Sequence, residues 1–233
     1  MKIKIINPNT SVAMTEALKM AAVKHASPGT QIIAVNPLTG PAYITSYYAE
    51  AMCASSVLAE IMKSDDEHID GFVLGAYVDP FLFAAREIVS VPVVGIGEAS
   101  MLMACMLGYK FSIITVSERL IQPIQAVVRK YGLSERCASI RATTFPISDI
   151  EEDREKFCLA VINEGRKAIE EDRAEVLLLG GSIMSGLDPE IEKVLHAPVI
   201  DGAAAAVKFL EALHQYGKAT SKIGTFRPPD KTY

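Results

Sequence analysis

The chain repeats itself once, and no other feature constrains its fold as much. "KIKIINPNTS" at 2–11 recurs in character as "KFSIITVSER" at 110–119, "GFVLGAYVDP" at 71–80 as "EVLLLGGSIM" at 175–184, and "VPVVGIGEAS" at 91–100 as "APVIDGAAAA" at 197–206. Lys4 and Ser112 lie 108 residues apart, Gly75 and Gly180 105, and Pro92 and Pro198 106. Three ordered matches at nearly one offset describe two similar halves, each about a hundred residues long.

Short Ile- and Val-rich runs ending at turn residues predict strands at 2–6, 31–35, 71–75, 91–96, 110–115, 139–143, 176–180 and 198–200. Helical patterns fall at 12–25, 48–63, 81–89, 98–107, 119–131, 151–171 and 202–216. Continuously apolar strands alternating with helices specify parallel sheets covered on both faces, so the fold class is α/β. The duplication predicts two domains with a discontinuous boundary, residues 1–96 with 206–233 forming the first and 97–205 the second.

Composition narrows the partners. With half its 233 residues hydrophobic and a net charge of −5, the chain has no basic cluster to hold a nucleic acid. No run reaches the length of a membrane helix, and the N-terminus reads as a strand rather than a signal peptide, so the expected location is cytoplasmic. Cys53, Cys105, Cys137 and Cys158 are widely spaced without a C-x-x-C pair, which predicts free thiols rather than disulfides or a metal site.

In open parallel sheets ligands bind beyond the carboxyl ends of the strands, where loops feed helix N-termini. Both halves place small and polar residues there: Asn7 to Ser11, Gly75 to Asp79, Gly97 to Ser100, Thr115 to Glu118, Gly180 to Ser185, and Gly202. Two halves related by a pseudo-twofold would face these loops across one cleft and touch a small molecule on both faces.

The segments "INPNTS" at 6–11, "GPA" at 40–42, "DPFLFAARE" at 79–87, "RCASIRAT" at 136–143, "PVIDGAAAAVK" at 198–208 and "TSKIGTFRPP" at 220–229 run nearly the length of the chain. Through them the sequence resembles the hydantoin and allantoin racemases of the aspartate/glutamate racemase superfamily. The resemblance implies two Rossmann-like domains with an active site between them, no cofactor, a small ureide or carboxylate substrate, and a homo-oligomer. It also implies a catalytic cysteine in each half, at positions 76 and 181, acting on opposite faces of the substrate. Here those positions hold Ala76 and Gly181, neither of which has a proton to exchange. Ala76 is open to two origins, a native alanine or a replaced cysteine.

What remains in the loops is binding capacity. Asn7, Asn9, Thr10, Gly75, Thr115, Ser117, Gly180 and Ser182 are the candidate substrate-binding residues, although Asn9 and Thr10 are also residues that cap helices. Tyr77 and Asp79 are candidate substitutes for the missing acid or base, and Tyr47, beside Tyr48, could supply a phenol. A carboxylate before proline, as at Asp79, also commonly caps the next helix. "GIGEAS" at 95–100 lacks the third glycine of a dinucleotide fingerprint, and "GGSIM" lacks the last glycine of a nucleophile elbow. His25, His68, His196 and His214 lie away from the strand ends, His68 within the polar run "SDDEH". Three functions compete: a racemase-like enzyme passing through an enolate-like anion, including a diverged decarboxylase, lyase, isomerase or hydrolase; a binding protein without turnover; and a nucleotide-using α/β enzyme.

Overall fold

The computed structural model describes residues 1–63, 68–150 and 152–230. Residues 64–67 of the polar run, and the first residue of the helix expected at 151–171, lie outside the described residues. The first sheet contains β1 (Lys2–Ile6), β2 (Gln31–Val35), β3 (Gly71–Leu74) and β4 (Val93–Gly95), in the order β2-β1-β3-β4. The second contains β5 (Phe111–Thr115), β6 (Cys137–Ala142), β7 (Val176–Leu179) and β8 (Val199–Ile200), in the order β6-β5-β7-β8. Every pairing is parallel. The expected α/β architecture of two helix-flanked parallel sheets is what the chain adopts.

The two sheets match strand for strand, and the match extends to single bonds. Asp70 N–H donates to the Lys2 carbonyl and Glu175 N–H to that of Lys110; Phe72 N–H donates to Pro92 and Leu177 N–H to Pro198, all at 2.8–3.0 Å. The central strands β1, β3, β5 and β7 are buried along almost their whole length. That burial is why they read as unbroken apolar runs rather than alternating ones.

The helices are α1 (Val12–His25), α2 (Tyr47–Met62), α3 (Leu82–Ile88), α4 (Ile96–Leu107), α5 (Ile121–Lys130), α6 (Arg154–Glu170), α7 (Asp188–Leu195) and α8 (Gly202–Gln215). Ser11 caps α1 by accepting from Met14 N–H, and Asp201 caps α8 by accepting from Ala203 and Ala204 N–H. Two differences from the sequence expectations have physical causes. Helix α7 is not among the expected elements: it has eight residues, a proline in its first turn and one fully buried side chain, Ile191, too little to make a periodic signal. Helix α4 starts at Ile96 rather than 98, because the carboxylate of Asp79, from a distant loop, binds the Gly97 and Glu98 N–H groups.

Helix α8 packs on α1 and α4 and beside β3 and β4. Its buried Glu211 reaches the turn after α1, where it accepts from Ser27 N–H, Ser27 Oγ and Thr30 Oγ1 at 2.7–2.8 Å, and pairs with Lys208 at 2.9 Å. Those donors outweigh the opposing effect of burial and hold the carboxyl at about 2. A depressed acid stabilises the fold above its unfolded pKa, and that contribution is lost as pH falls through the folded value. Glu211→Gln is therefore expected to cost about 1–3 kcal/mol near pH 7, and the difference from the unaltered chain should close as pH falls from about 4.5 to about 2. Chemical denaturation at several pH values measures this; a pH-independent difference would show that packing, not charge, is what Glu211 contributes.

Candidate active site

The site begins at two glycines that the sheets demand. At the end of β3, Gly75 N–H donates to the Ile6 carbonyl at 2.9 Å, and at the end of β7, Gly180 N–H donates to that of Ile114 at 2.7 Å. A Cβ on Gly75 would stand 2.7 Å from Leu18 Cδ1, and one on Gly180 2.7 Å from both Ile113 Cγ2 and the Ile114 carbonyl oxygen. A side chain would collide with α1 at the first place and with β5 at the second. The chain then turns out of each sheet, and the next residues, Ala76 and Gly181, line one and the same cavity.

Gly181 differs from its neighbour. Its backbone is extended, with φ −177°, and a Cβ there would meet nothing closer than 3.9 Å. The position has room for a side chain directed into the cavity and carries none.

The walls come from both halves. The first contributes Asn9, Met14, Ala76 to Val78 and the segment Tyr43 to Thr45; the second contributes Val116, Leu120, Ile124, Ile147 and Gly180 to Ile183. Most of this surface is apolar, so the few polar groups set how a ligand is oriented. Asn9 Oδ1 accepts from Asn7 Nδ2 and Ser11 N–H, both at 2.9 Å, which fixes the plane of the amide. Its Nδ2 then faces Met14 Sδ at 3.4 Å, and Ser182 Oγ, from the other half, approaches the same sulfur at 3.8 Å. A thioether is a weak acceptor. Two good donors from opposite sides of the cleft therefore converge with only a poor partner between them.

Of the other candidate binding residues, Asn7 lies behind Asn9, its Nδ2 also facing Ser11 O and Thr15 Oγ1. Thr10 N–H holds the Pro41 carbonyl and so fastens the segment around 40–45 beside the cleft. Thr115 is fully buried and donates its hydroxyl to the Gly180 carbonyl, supporting the second loop from beneath. Ser117 caps the turn of 3₁₀ helix at 118–120. Neither Thr115 nor Ser117 is among the cavity-lining residues, and Tyr47 is not either: Tyr47 and Tyr48 are 64% and 77% exposed on α2. The phenol that the segment does bring to the cavity is Tyr43.

Tyr77 and Asp79, the candidate acid or base residues, are engaged elsewhere. Tyr77 lines the cavity, but its hydroxyl hydrogen-bonds with Ser100 Oγ at 3.1 Å, and burial drives its pKa far above the usual phenol value. Asp79 accepts from Gly97 N–H, Glu98 N–H and Tyr131 O–H, at 3.0, 2.6 and 2.7 Å, and is not a cavity-lining residue. This arrangement accounts for "GIG": a Cβ on Gly95 would fall 2.1 Å from Asp79 Oδ1, and one on Gly97 2.1 Å from the Tyr77 carbonyl oxygen. The glycines admit a neighbouring loop of the same chain. Glu98 pairs with Arg86 rather than capping its own helix.

None of the four cysteines lines the cavity; all are free, with Cys53 and Cys158 buried. Among the described residues no group of three or more His, Cys, Asp or Glu stands where it could hold a metal ion, and no helix is long and apolar enough to cross a membrane. Sequence reasoning missed Met14, Tyr43, Thr45 and the apolar wall from Leu120, Ile124 and Ile147. Met14 reads simply as a core residue of α1, and nothing local marks the others as facing a cleft.

Comparison with known proteins supplies the family. The Asp/Glu/Hydantoin racemase family matches residues 3–210. A hydantoin racemase of Pseudomonas sp. (strain NS671) is 45% identical over 231 residues, covering 99% of this chain and 93% of its own. An allantoin racemase from Klebsiella pneumoniae has 38% identity and a TM-score of 0.96, covering 100% of this chain and 95% of that one. The allantoin racemase of Pseudomonas fluorescens has 34% identity and the same TM-score, with coverage of 100% and 99%. Duplicated sheets, paired loops and a shared cleft thus occur in a chain that is similar to these racemases from end to end, and it belongs to the Asp/Glu/hydantoin racemase family.

Proposed function

We propose that the cleft takes a small cyclic ureide, or a related carboxylate, and stabilises its anionic, enolate-like form without the thiol pair needed to exchange protons on both faces. The observation that carries this reading is the convergence of Asn9 Nδ2 and Ser182 Oγ on the sulfur of Met14. A ring carbonyl oxygen in that place would be a far better acceptor than the thioether, and better still as negative charge grows on it. Loop backbone from 76–78 and 181–183, also at the cavity wall, could add further donors. No step of this reading calls on a cofactor.

Binding without turnover is the second reading, favoured by the cavity's shortage of proton carriers. Among the described residues its lining holds two titratable side chains, Tyr43 and Tyr77, and Tyr77 is pushed away from any role as a base near neutral pH. One experiment addresses both readings. The unaltered chain is mixed with an isobutyl-substituted hydantoin or with allantoin in deuterated water. At a ligand concentration a hundredfold above Kd, Tm should rise by roughly 5–10 °C, and the alpha hydrogen should exchange far more slowly than a racemase with both thiols would exchange it. Slow exchange above the buffer rate would favour the enolate-forming enzyme. Exchange at a typical racemase rate would overturn the claim that the thiols are needed, and absence of binding would overturn the ligand class.

A further inference from the structure

The turn 76–79 is held in an uncommon conformation. Asp79 and Phe81, on either side of Pro80, both have left-handed backbones, with φ 47° and 61°. For residues with a Cβ such angles cost about 1–2 kcal/mol each and persist only where the surroundings impose them. The imposing group is the Asp79 side chain, which is 1% exposed. Its backbone N–H closes the turn on the Ala76 carbonyl at 3.0 Å, and its carboxylate receives two amides from the start of α4 and the hydroxyl of Tyr131 from the end of α5. Helix α5 and the turn before it supply Leu120 and Ile124 to the opposite wall of the cavity.

We propose that Asp79 is a positioning residue of the cleft, a clasp that sets the 76–78 wall on α4 and ties it to the helix carrying the opposite wall. It touches neither cavity nor ligand; it acts through the backbone of Ala76 to Val78 in one direction and through Tyr131 in the other. Its relevance to ligand binding rests on the function proposed above, but the clasp itself can be tested without a ligand. The charged and titratable groups facing it are Tyr77 on its own loop, Glu98 on α4, and Tyr131 and Lys130 at the end of α5; Arg86 of α3 pairs with that Glu98, and Glu50 of α2 shares a groove with Asp79. Burial pushes the Asp79 carboxyl up to about 7 against the pull of Tyr131 and the two amides, so its ionisation can be followed near neutral pH.

The experiment records amide spectra of the full chain across neutral pH, first alone and then with an isobutyl-substituted hydantoin. In the free protein the amides of Gly97 and Glu98, of residues 76–78 and of the start of α5 should titrate with one common midpoint. Tyr131→Phe removes a donor that favours the ionised carboxylate, so it should raise that midpoint and weaken hydantoin binding about tenfold. Asp79→Asn should abolish the titration; if that variant does not fold, Tyr131→Phe carries the test alone. Titration confined to Gly97 and Glu98, or a midpoint and an affinity that Tyr131→Phe leaves unmoved, overturns the proposal. Common titration in the free protein, with no hydantoin-induced shift at 76 or 181, would instead leave the clasp standing and remove the ligand assignment.

Discussion

Cysteine placed at both Ala76 and Gly181 is expected to turn a chain that exchanges the alpha hydrogen of a bound hydantoin at most slowly into one that exchanges it fast and racemises. General acid or base catalysis contributes about 10² to 10⁴ in rate at each proton transfer, so the pair should gain at least roughly 10⁴ over the unaltered chain. The site can receive both side chains. Both positions line the same cavity, and at Gly181 the nearest atom to a new Cβ is 3.9 Å away, so the substitution adds a thiol without displacing a wall. The single variants sharpen the expectation: one thiol can take a proton and return it on the same face, giving deuterium incorporation with retained optical activity. Polarimetry and proton spectra on one sample read both outcomes. If the double variant folds and binds but exchanges no faster than the unaltered chain, the two loops are not poised for proton transfer and the enolate-forming reading fails.

Gly97→Ala is expected to destabilise the protein by about 1–5 kcal/mol, although helix propensity alone argues the opposite. Gly97 lies within α4, where alanine is favoured over glycine by about 1 kcal/mol. Against that gain, the new Cβ would stand 2.1 Å from the Tyr77 carbonyl oxygen and 2.9 Å from Asp79 Oδ2. A backbone carbonyl cannot swing aside as a flexible side chain can. Overpacking costs about 1–3 kcal/mol, and separating the buried carboxylate from its donors costs about 1–3 more, so the steric effect wins. The corresponding fall in Tm is on the order of 10 °C for a chain of this size. Gly181→Ala is the control, expected to change stability by less than about 0.5 kcal/mol because its Cβ meets only ordinary van der Waals contacts, none closer than 3.9 Å. Equal effects of the two substitutions would show that the 76–79 loop does not press on α4 as described.

Much of the fold was legible because its signals are local or repeated. Seven of the helices and all the strands announce themselves through runs of Ile and Val, through helical patterning and through turn residues. The near-constant offset pairs Gly75 with Gly180 before any coordinates are known, since both must end a central strand against a neighbour's carbonyl. That positions 76 and 181 hold an alanine and a glycine is a matter of sequence alone.

The burial and partners of the polar side chains were not legible, because those depend on residues far away in the chain. Asp79 and Tyr77 look like available acids or bases when read beside position 76, yet one closes on Gly97, Glu98 and Tyr131 and the other on Ser100. Tyr47 and Tyr48 look like ligand-binding phenols, but the start of α2 turns them to solvent and leaves Tyr43 at the cavity. Met14, a core residue by every local sign, is the sulfur on which donors from both halves meet. The two parallel sheets, the paired loops and the alanine and glycine that follow their strand-end glycines are all readable along the chain, because hydrophobic period, turn chemistry and residue identity are written locally. Which donors face the cleft and which polar groups are closed off in buried hydrogen bonds emerges from the folded chain, because a polar side chain is committed by whatever desolvates and hydrogen-bonds it, and those partners come from elsewhere in the chain.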